Sequence, residues 1–237
     1  MKERLAILDI DGTLFDGNLG IEFVKSLIQK RIFNNEIGNE IFNWYGKYKS
    51  GKIEKSIAVD EIYKLYAQDL KGKEKIKIEQ IALETWQGLT NKLYNFTINL
   101  IELLKKDGFL ILLISGSPVE MVSKLTKKLN INKEDVISGK LEIKNGVYTG
   151  KIISYLGSSE QKVEALKTWI KDRKLFIDWL GSMTIGNNER DAGIMGMTGI
   201  SITFEPNEAL KKETEHKGWI LASRDTIINT VKEKLAR

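Results

Sequence analysis

Residues 5–15 read LAILDIDGTLF, an apolar run that ends in two aspartates, Asp9 and Asp11, followed by Gly12. Four consecutive apolar residues are typical of a short strand that is buried on both faces of a parallel sheet. Unpaired charge is costly to bury, so two carboxylates at the end of such a strand indicate either a functional site or a solvated Asp-Gly turn. The rest of the sequence favours the functional site.

After residue 93 the sequence alternates between apolar, strand-like runs and amphipathic helical stretches. This alternation predicts an α/β fold with a Rossmann-like three-layer core, in which helices cover both faces of a mostly parallel sheet. Asn145 and Gly146 separate two strand-like runs and predict a hairpin. Helices are predicted from about 159 to 171 and near 226–235.

Residues 16–92 show a different pattern, because apolar residues recur there at helical spacing without a convincing strand. Breaks between helices are predicted at NNEIGN (34–39) and at KSGK (49–52). We therefore predict an all-helical cap at 16–92, inserted after the first strand into a catalytic core formed by 1–15 and 93–237.

Three of the predicted strands end in polar residues that are followed by glycine or another small residue. LAIL runs into Asp9, FLILLI (109–114) into Ser115 and Gly116, and SMTI (182–185) into Gly186 and Asn187. Ligands of open parallel sheets bind beyond the carboxyl ends of the strands. The sequence therefore predicts that these three segments line one pocket.

The segment SGSPVE (115–120) is predicted to begin a helix, with Ser117 as the N-cap and Glu120 completing a capping box. Free amides at a helix N-terminus favour an anion, so Ser115 and Gly116 are predicted to lie at an anion site, although Ser115 could also merely cap. Lys162 falls in the first turn of its helix, where a cation opposes the helix dipole. It is either a solvated lysine or a partner of a nearby phosphate.

Composition excludes several kinds of site. The chain has no cysteine and one histidine, which excludes disulfides, thiolate zinc sites, cysteine nucleophiles and histidine clusters, and disfavours a Ser-His-Asp triad. The apolar run 109–114 is too short to span a bilayer, and the N-terminus shows no signal-peptide pattern, so a cytoplasmic protein without membrane contact is predicted. The net charge of +5 is dispersed among acidic residues. That dispersal favours a solvated lysine-rich surface over nucleic-acid binding.

Four segments carry a resemblance to a known family. DIDGT, ISGS, Lys162 and GNNERD occur in the order and approximate spacing of the four motifs of the haloacid dehalogenase superfamily. The sequence is most similar to the phosphoserine-phosphatase-like branch, which has a helical cap after the first motif, and the resemblance covers about 4–16 and 93–222. It implies a magnesium-dependent phosphatase acting on a small phosphorylated substrate. The alternative is a phosphate-binding or regulatory protein of the same fold with weak or no turnover.

The resemblance also implies a role for each matching residue. The implied catalytic residues are Asp9 as the nucleophile that forms an aspartyl-phosphate, Asp11 as the general acid and base, and Lys162 as the counter-charge. The implied substrate-binding residues are Thr13, Ser115, Gly116 and Lys162. The implied Mg²⁺ ligands are Asp9, the main-chain carbonyl of Asp11, Asn187 and Asp191.

The fourth segment departs from the family pattern. That motif usually begins Gly-Asp, whereas Asn187 offers an amide oxygen without a charge. Magnesium prefers anionic oxygen, so weak metal binding is predicted. Asp191 either supports the metal or caps a helix together with Asn188.

The substrate prediction rests on two further departures. Asn18 stands where phosphoserine phosphatases carry a glutamate, and Arg31 is the only arginine between Arg4 and Arg173. An arginine of the cap clamps the substrate carboxylate in that branch, a contact that suits the planar guanidinium. Phosphoserine is therefore predicted to be a poor substrate, and the sequence makes no prediction of the oligomeric state.

Overall fold

The computed structural model describes residues 2–236, whose strands form one seven-stranded sheet. The strands are β1 (Leu5–Asp9), β2 (Leu110–Pro118), β3 (Val136–Lys144), β4 (Val147–Ser154), β5 (Met183–Gly186), β6 (Ile200–Phe204) and β7 (Ile220–Ala222). Their spatial order is β4-β3-β2-β1-β5-β6-β7, and every neighbouring pair is parallel except the β3–β4 hairpin. The hairpin predicted at Asn145 and Gly146 is confirmed.

The helices fall into two groups. Four of them occupy residues 19–89, after β1, namely α1 (Leu19–Gln29), α2 (Asn35–Lys49), α3 (Lys55–Leu70) and α4 (Lys75–Leu89). The others follow in the core, namely α5 (Thr97–Lys106), α6 (Val119–Lys128), α7 (Ser159–Asp172), α8 (Ala192–Met195), α9 (Glu208–Lys217) and α10 (Ile227–Leu235). No helix within 2–236 has the length and apolarity needed to cross a bilayer.

Side chains of β1 alternate between two hydrophobic clusters on opposite faces of the sheet. Leu5 and Ile7 belong to a cluster that includes Leu166 of α7 and Ile194 of α8. Ala6 and Leu8 belong to a larger cluster that reaches α5, α6, α10 and the helices of 19–89. The predicted three-layer α/β fold with a mostly parallel sheet is confirmed, and so is the strand buried on both faces.

The helices of residues 19–89 pack directly on the core. α4 lies against α6, and α3 lies against β4. Buried residues of both regions, such as Leu27 and Ile78 on one side and Met121 and Tyr148 on the other, form one continuous hydrophobic cluster. The predicted domain boundaries at 16 and 92 stay a prediction.

Two local predictions are wrong. The break predicted at 34–39 lies inside α2, which begins directly after Asn34 because the Asn34 side chain accepts a hydrogen bond from the Glu36 amide. The capping box predicted at Ser117 and Glu120 does not form, since β2 continues through Pro118 and α6 has no side-chain cap. The first error has a local cause, since the cap of α2 lies within the segment that was predicted as a break. The second has a distant cause, because the Ser117 hydroxyl is bound to Asp11 and to the Gly20 amide.

Candidate active site

The carboxyl ends of β1, β2 and β5 lie side by side, since these strands are neighbours in the sheet. Asp9 is level with Ile114 of β2, and Leu8 is level with Ile185 of β5. The residues after Ile114 and Ile185 therefore reach the same edge of the sheet as Asp9. The structure brings the three polar strand ends together at one place.

Lys162 reaches this edge from α7. Ser158 caps that helix in a capping box with Gln161, which places Lys162 in the first turn. Its side chain is fully buried, and its Nζ donates to Asp9 Oδ1 at 2.8 Å and to Asp191 Oδ1 at 2.6 Å. The alternative of a solvated lysine is therefore wrong, because the ammonium is shared by two buried carboxylates.

This sharing sets the charge state of the three groups. Burial raises the pKa of Asp9 to about 6, and the Asp191 carboxylate adds to the rise while Lys162 opposes it. Burial disfavours the ammonium of Lys162, but the two carboxylates outweigh it and raise the pKa of Lys162. Burial also favours the neutral form of Asp191, but the ammonium of Lys162 outweighs this effect and lowers the pKa of the Asp191 carboxyl. Asp9 is therefore the less stabilised carboxylate of the pair.

Asp11 is held by a different set of partners. Its Oδ1 accepts from the Leu19 amide at 2.7 Å, and its Oδ2 accepts from the hydroxyls of Ser115 at 2.6 Å and Ser117 at 2.8 Å. The Ser117 hydroxyl in turn accepts from the Gly20 amide at 3.0 Å. Ser117 thus orients Asp11 instead of capping a helix. The two aspartates of DIDGT face separate environments and are free to take separate roles.

The loop after β1 packs against the fourth segment. Thr13 Oγ1 donates to Asp9 Oδ2 at 3.1 Å. Gly12 has φ of +85°, a left-handed conformation that favours glycine, and a Cβ at this position would overlap the amide nitrogen of Asn187. Asn187 therefore lies directly beside the loop that connects Asp11 to Thr13.

The second alternative for Asp191, a capping role, is present in the structure. Asp191 Oδ2 accepts from the amides of Asn187 at 3.1 Å and Asn188 at 3.2 Å, and Asn188 completes the capping box of a short 3-10 turn. Since Asp191 Oδ1 binds Lys162, both oxygens of this carboxylate have protein partners. A part in metal binding stays a prediction.

The donors available for a metal are hard oxygens with little charge. Within 2–236 no three acidic or histidine side chains are grouped as a metal site. The remaining candidates are the Asp9 carboxylate, the Asp11 carbonyl and Asn187 Oδ1, which accepts from the Asn188 amide group at 2.8 Å. Oxygen donors suit magnesium, but this set contains one carboxylate.

Arg190 was not singled out from the sequence, yet it is a buried part of the site. Its side chain donates to the Leu156 carbonyl at 2.7 Å and to Asn188 Oδ1 at 3.2 Å. A Cβ on Gly116 would stand 2.9 Å from Arg190 Nη1, so the guanidinium lies against Gly116. The predicted phosphate ligand Gly116 therefore has a cation next to it.

A cavity of about 70 Å³ lies between α1, α2 and α3 and this edge of the sheet. Asp11, Gly116 and Arg190 line it from the core, and tyrosines of α2 and α3 line it from the opposite side. The hydroxyl of Tyr63 donates to the Gly116 carbonyl at 2.7 Å and so ties α3 to the end of β2. The cavity opens directly onto Asp11.

Lys55, at the start of α3, also lines the cavity. Its Nζ lies 4.9 Å from the centre of the Tyr48 ring, and it forms no ion pair with any residue of 2–236. Burial lowers the pKa of Lys55 to about 7, and the positive charge of Arg190 contributes, whereas Glu189, Asp9 and Asp191 oppose the change. The cavity thus holds an unpaired, half-buried amine near the paired carboxylates.

The residues missed from sequence carried weak signals. Tyr45 and Tyr48, and likewise Tyr63 and Tyr66, are spaced three apart, which places each pair on one face of a helix. Such pairs are also common in ordinary cores. Arg190 lies within GNNERD but has no distinctive spacing, so its position beside Gly116 required the folded structure.

Comparison with known proteins agrees with this geometry. Residues 6–195 match the family model of the haloacid dehalogenase-like hydrolases. A phosphoserine phosphatase of Lactococcus lactis subsp. lactis (strain IL1403) is 31% identical over 112 residues, which is 47% of this chain and 50% of that protein. The alignments cover about half the length of the curated relatives that the chain matches.

Solved structures show the same fold at low sequence identity. A Bordetella pertussis Tohama I protein with unknown function superposes with a TM-score of 0.78 at 17% identity, covering 94% of this chain and all of that one. A substrate-bound phosphoserine phosphatase gives 0.65 at 19% identity and covers 93% of each chain. The family match extends over most of the sequence and includes Asp9, Ser115, Lys162 and Asp191. The chain belongs to the haloacid dehalogenase-like hydrolases.

Proposed function

We propose that this protein is a phosphatase that hydrolyses a small phosphomonoester through an aspartyl-phosphate on Asp9. One observation carries the proposal. Asp9 ends a buried central strand with a single cation shared between it and Asp191, while Asp11 lies two residues further on, is separately oriented and lines the cavity. The reaction needs a nucleophile beside phosphorus and a general acid beside the leaving group, so the two carboxylates must be oriented separately.

The reaction has two halves. In the first, an Asp9 oxygen bonds to phosphorus while the bond between phosphorus and the alcohol oxygen breaks, and Asp11 gives its proton to that oxygen. In the second, Asp11 takes a proton from water, and the water oxygen bonds to phosphorus and releases the Asp9 carboxylate with inorganic phosphate. The Leu19 amide and the Ser115 and Ser117 hydroxyls hold Asp11 for both transfers.

The phosphoryl group is stabilised electrostatically in this proposal. Lys162 offsets negative charge on Asp9 and on the phosphoryl oxygens, and Thr13, Ser115 and Gly116 bind those oxygens. Asp9, the Asp11 carbonyl and Asn187 would hold Mg²⁺, with Asp191 in support, and the bound ion would further neutralise phosphoryl charge. The native partners of Asp191 favour a supporting role, since both of its oxygens already accept hydrogen bonds.

The test is hydrolysis of a simple aryl phosphate in the presence of magnesium. We expect turnover by the native protein and none by Asp9→Asn, because the amide is a poor nucleophile. Asp16→Asn is the matched control, as Asp16 is an exposed aspartate of the same loop and is expected to leave turnover intact. Full activity of Asp9→Asn, or activity that resists a metal chelator, contradicts the proposal.

The second candidate is a phosphate-binding or regulatory protein with weak or no turnover. It is favoured by Asn187, which gives the metal site one negative charge fewer than the family pattern. Binding of inorganic phosphate to the native protein, with no release of phosphate from any ester in a broad metabolite panel, supports this candidate over the phosphatase. A small phosphorylated molecule is the partner in both cases, and a cytoplasmic location stays a prediction.

A further inference from the structure

The cavity beside Asp11 has an uneven distribution of charge. Of the residues that line it, three are charged, namely Asp11, Lys55 and Arg190. Asp11 follows the proposed nucleophile by two residues, and Arg190 lies against Gly116 and directly precedes Asp191. Lys55 experiences the charges of Arg190, Asp9 and Asp191. All three charged groups are therefore grouped around the place proposed for the phosphoryl group.

Of the other residues that line the cavity, Asn18 and Ser117 are polar, and the rest are apolar, aromatic or glycine. α1 contributes Ile21 and Val24, and α3 contributes three aliphatic residues. Those of α3 are Ala58, Val59 and Ile62. No charged side chain of the described chain lines this part of the wall. A group bound here meets surfaces like those of a protein core.

A fully buried hydroxyl among the described lining residues makes no hydrogen bond. Tyr66 lines the cavity, its side chain is 2% exposed, and its hydroxyl makes no hydrogen bond with any described residue. A buried hydroxyl without a partner costs free energy, and the great majority of such groups are satisfied in folded proteins. The Tyr66 hydroxyl is thus available to a polar atom of a bound molecule.

These features discriminate between possible leaving groups. In this arrangement Asp11, Lys55 and Arg190 face the phosphoryl group, so the ammonium and the carboxylate of the serine released from phosphoserine meet the aliphatic residues of α1 and α3. Burying such charges without partners costs several kcal/mol. An uncharged alcohol with an apolar body does not incur this free-energy cost, and burial of its apolar surface is favourable.

We propose that the alcohol part of the substrate is uncharged and largely apolar, the size of a single ring, and that a polar atom on it pairs with the Tyr66 hydroxyl. This inference rests on the proposed phosphatase function and names the substrate class of the same site. All of the substrate's charge then lies in its phosphoryl group, beside Lys162, Lys55 and Arg190. Tyr66 is a specificity-determining residue in this arrangement.

The first test measures kcat/KM with magnesium for benzyl phosphate, O-phospho-L-serine and phosphoethanolamine. We expect benzyl phosphate to exceed both charged substrates by about ten-fold or more. Phosphoserine or phosphoethanolamine within about three-fold of benzyl phosphate overturns the proposal. Phosphoethanolamine separates an effect of the ammonium alone from that of the full amino acid.

The second test concerns Tyr66 and uses a ratio that does not depend on overall activity. Native protein is expected to prefer 4-(hydroxymethyl)benzyl phosphate to benzyl phosphate, and Tyr66→Phe is expected to reduce that kcat/KM ratio about three-fold or more. Ser138→Ala is the matched control, since it removes the other buried hydroxyl without a partner, away from this cavity. An unchanged ratio in Tyr66→Phe, or an equal change in Ser138→Ala, contradicts the assignment to Tyr66.

A binding measurement separates this inference from failure of the proposed function. Saturation-transfer NMR on the native protein is expected to detect benzyl alcohol but not L-serine, whether or not any ester is hydrolysed. Val59→Trp fills the cavity and is expected to abolish the benzyl alcohol signal, whereas Ile57→Trp, at a position of α3 that is 48% exposed, retains it. Binding of L-serine without benzyl alcohol, or a signal that survives in Val59→Trp, overturns the proposal.

Discussion

Asn187 shows how one residue can change a site without changing its shape. Its side chain lies beside Gly12, on the loop that carries Asp11, and its Oδ1 accepts a hydrogen bond from Asn188. An aspartate has nearly the same size and places an oxygen in the same region, but adds one negative charge. The nearby carboxylates of Asp9 and Asp191 already share Lys162, so the added charge increases the net negative charge of this group.

We therefore expect Asn187→Asp to bind magnesium about ten-fold more tightly, which corresponds to about 1.4 kcal/mol. Without magnesium the variant is expected to have a lower Tm than the native protein, because three carboxylates repel one another, and with magnesium the difference shrinks or reverses. Thermal unfolding with and without magnesium measures this independently of turnover. An unchanged magnesium dependence of Tm means that Asn187 does not contact the metal.

Some residues of the site could be predicted from sequence and others could not. The charges of Asp9 and Asp11 are unexpected at the end of a buried strand, and the charge of Lys162 is unfavourable in the first turn of its helix. The local sequence alone therefore marks all three residues as unusual. Ser117 and Arg190 fit their local surroundings. Ser117 resembles a helix cap, and its bond to Asp11 spans 106 positions of the chain. Contacts of this kind depend on the strand order, which no local pattern contains.

At the scale of elements, the junction between β2 and α6 shows how distant contacts override a local signal. The sequence pattern places Glu120 in a capping box, but its carboxylate accepts a hydrogen bond from the Tyr148 hydroxyl of β4 at 2.7 Å. Both side chains are buried. Periodicity is local and predicts most helices and strands, whereas the beginning of α6 is set by partners in the loop after β1, on α1 and on β4.

The same contact gives a pH-dependent stability. Burial raises the pKa of Glu120 above its ordinary 4.5, although the Tyr148 hydroxyl opposes the rise. The folded state therefore holds this proton to higher pH than the unfolded state, and stability is lost as pH rises through the folded pKa. A glutamine at position 120 keeps an oxygen that accepts the hydrogen bond from Tyr148, and it has no charged form whose burial costs free energy.

We expect Glu120→Gln to be more stable than the native protein by about 1 kcal/mol at pH 8, with the difference shrinking as pH falls towards 4.5. Urea unfolding at a series of pH values measures the difference in free energy of unfolding. Glu164→Gln, at an exposed position of α7, is the control and is expected to show a small difference that does not vary in this way. A pH-independent difference for Glu120→Gln refutes the assignment.

At the scale of the whole molecule, the helices of 19–89 and the sheet are joined at the site itself. The hydrophobic cluster is continuous between them, and Tyr63 of α3 donates to Gly116 at the end of β2. Gly139 of β3 makes this approach possible, because a Cβ there would overlap the hydroxyl end of the Tyr63 ring. Tyr63 is 4% exposed, so its ring cannot move aside without moving α3.

Gly139→Ala is therefore expected to displace α3 from the sheet and to break the bond between Tyr63 and Gly116. Because Gly116 lies at the proposed phosphoryl site and α3 forms a wall of the cavity, we expect kcat/KM to fall about ten-fold or more, with the far-UV circular dichroism unchanged.

Gly46→Ala is the matched control, since a Cβ at this position of α2 meets no atom within 4 Å. Alanine also favours a helix over glycine by about 0.5–1 kcal/mol, so this control should keep its activity and gain slightly in Tm. Tyr63→Phe removes the hydrogen bond without the collision and is expected to lose a smaller part of the activity. If Gly139→Ala keeps the native kcat/KM, the position of α3 does not control the site, and the cavity described between helices and sheet is not where the substrate binds.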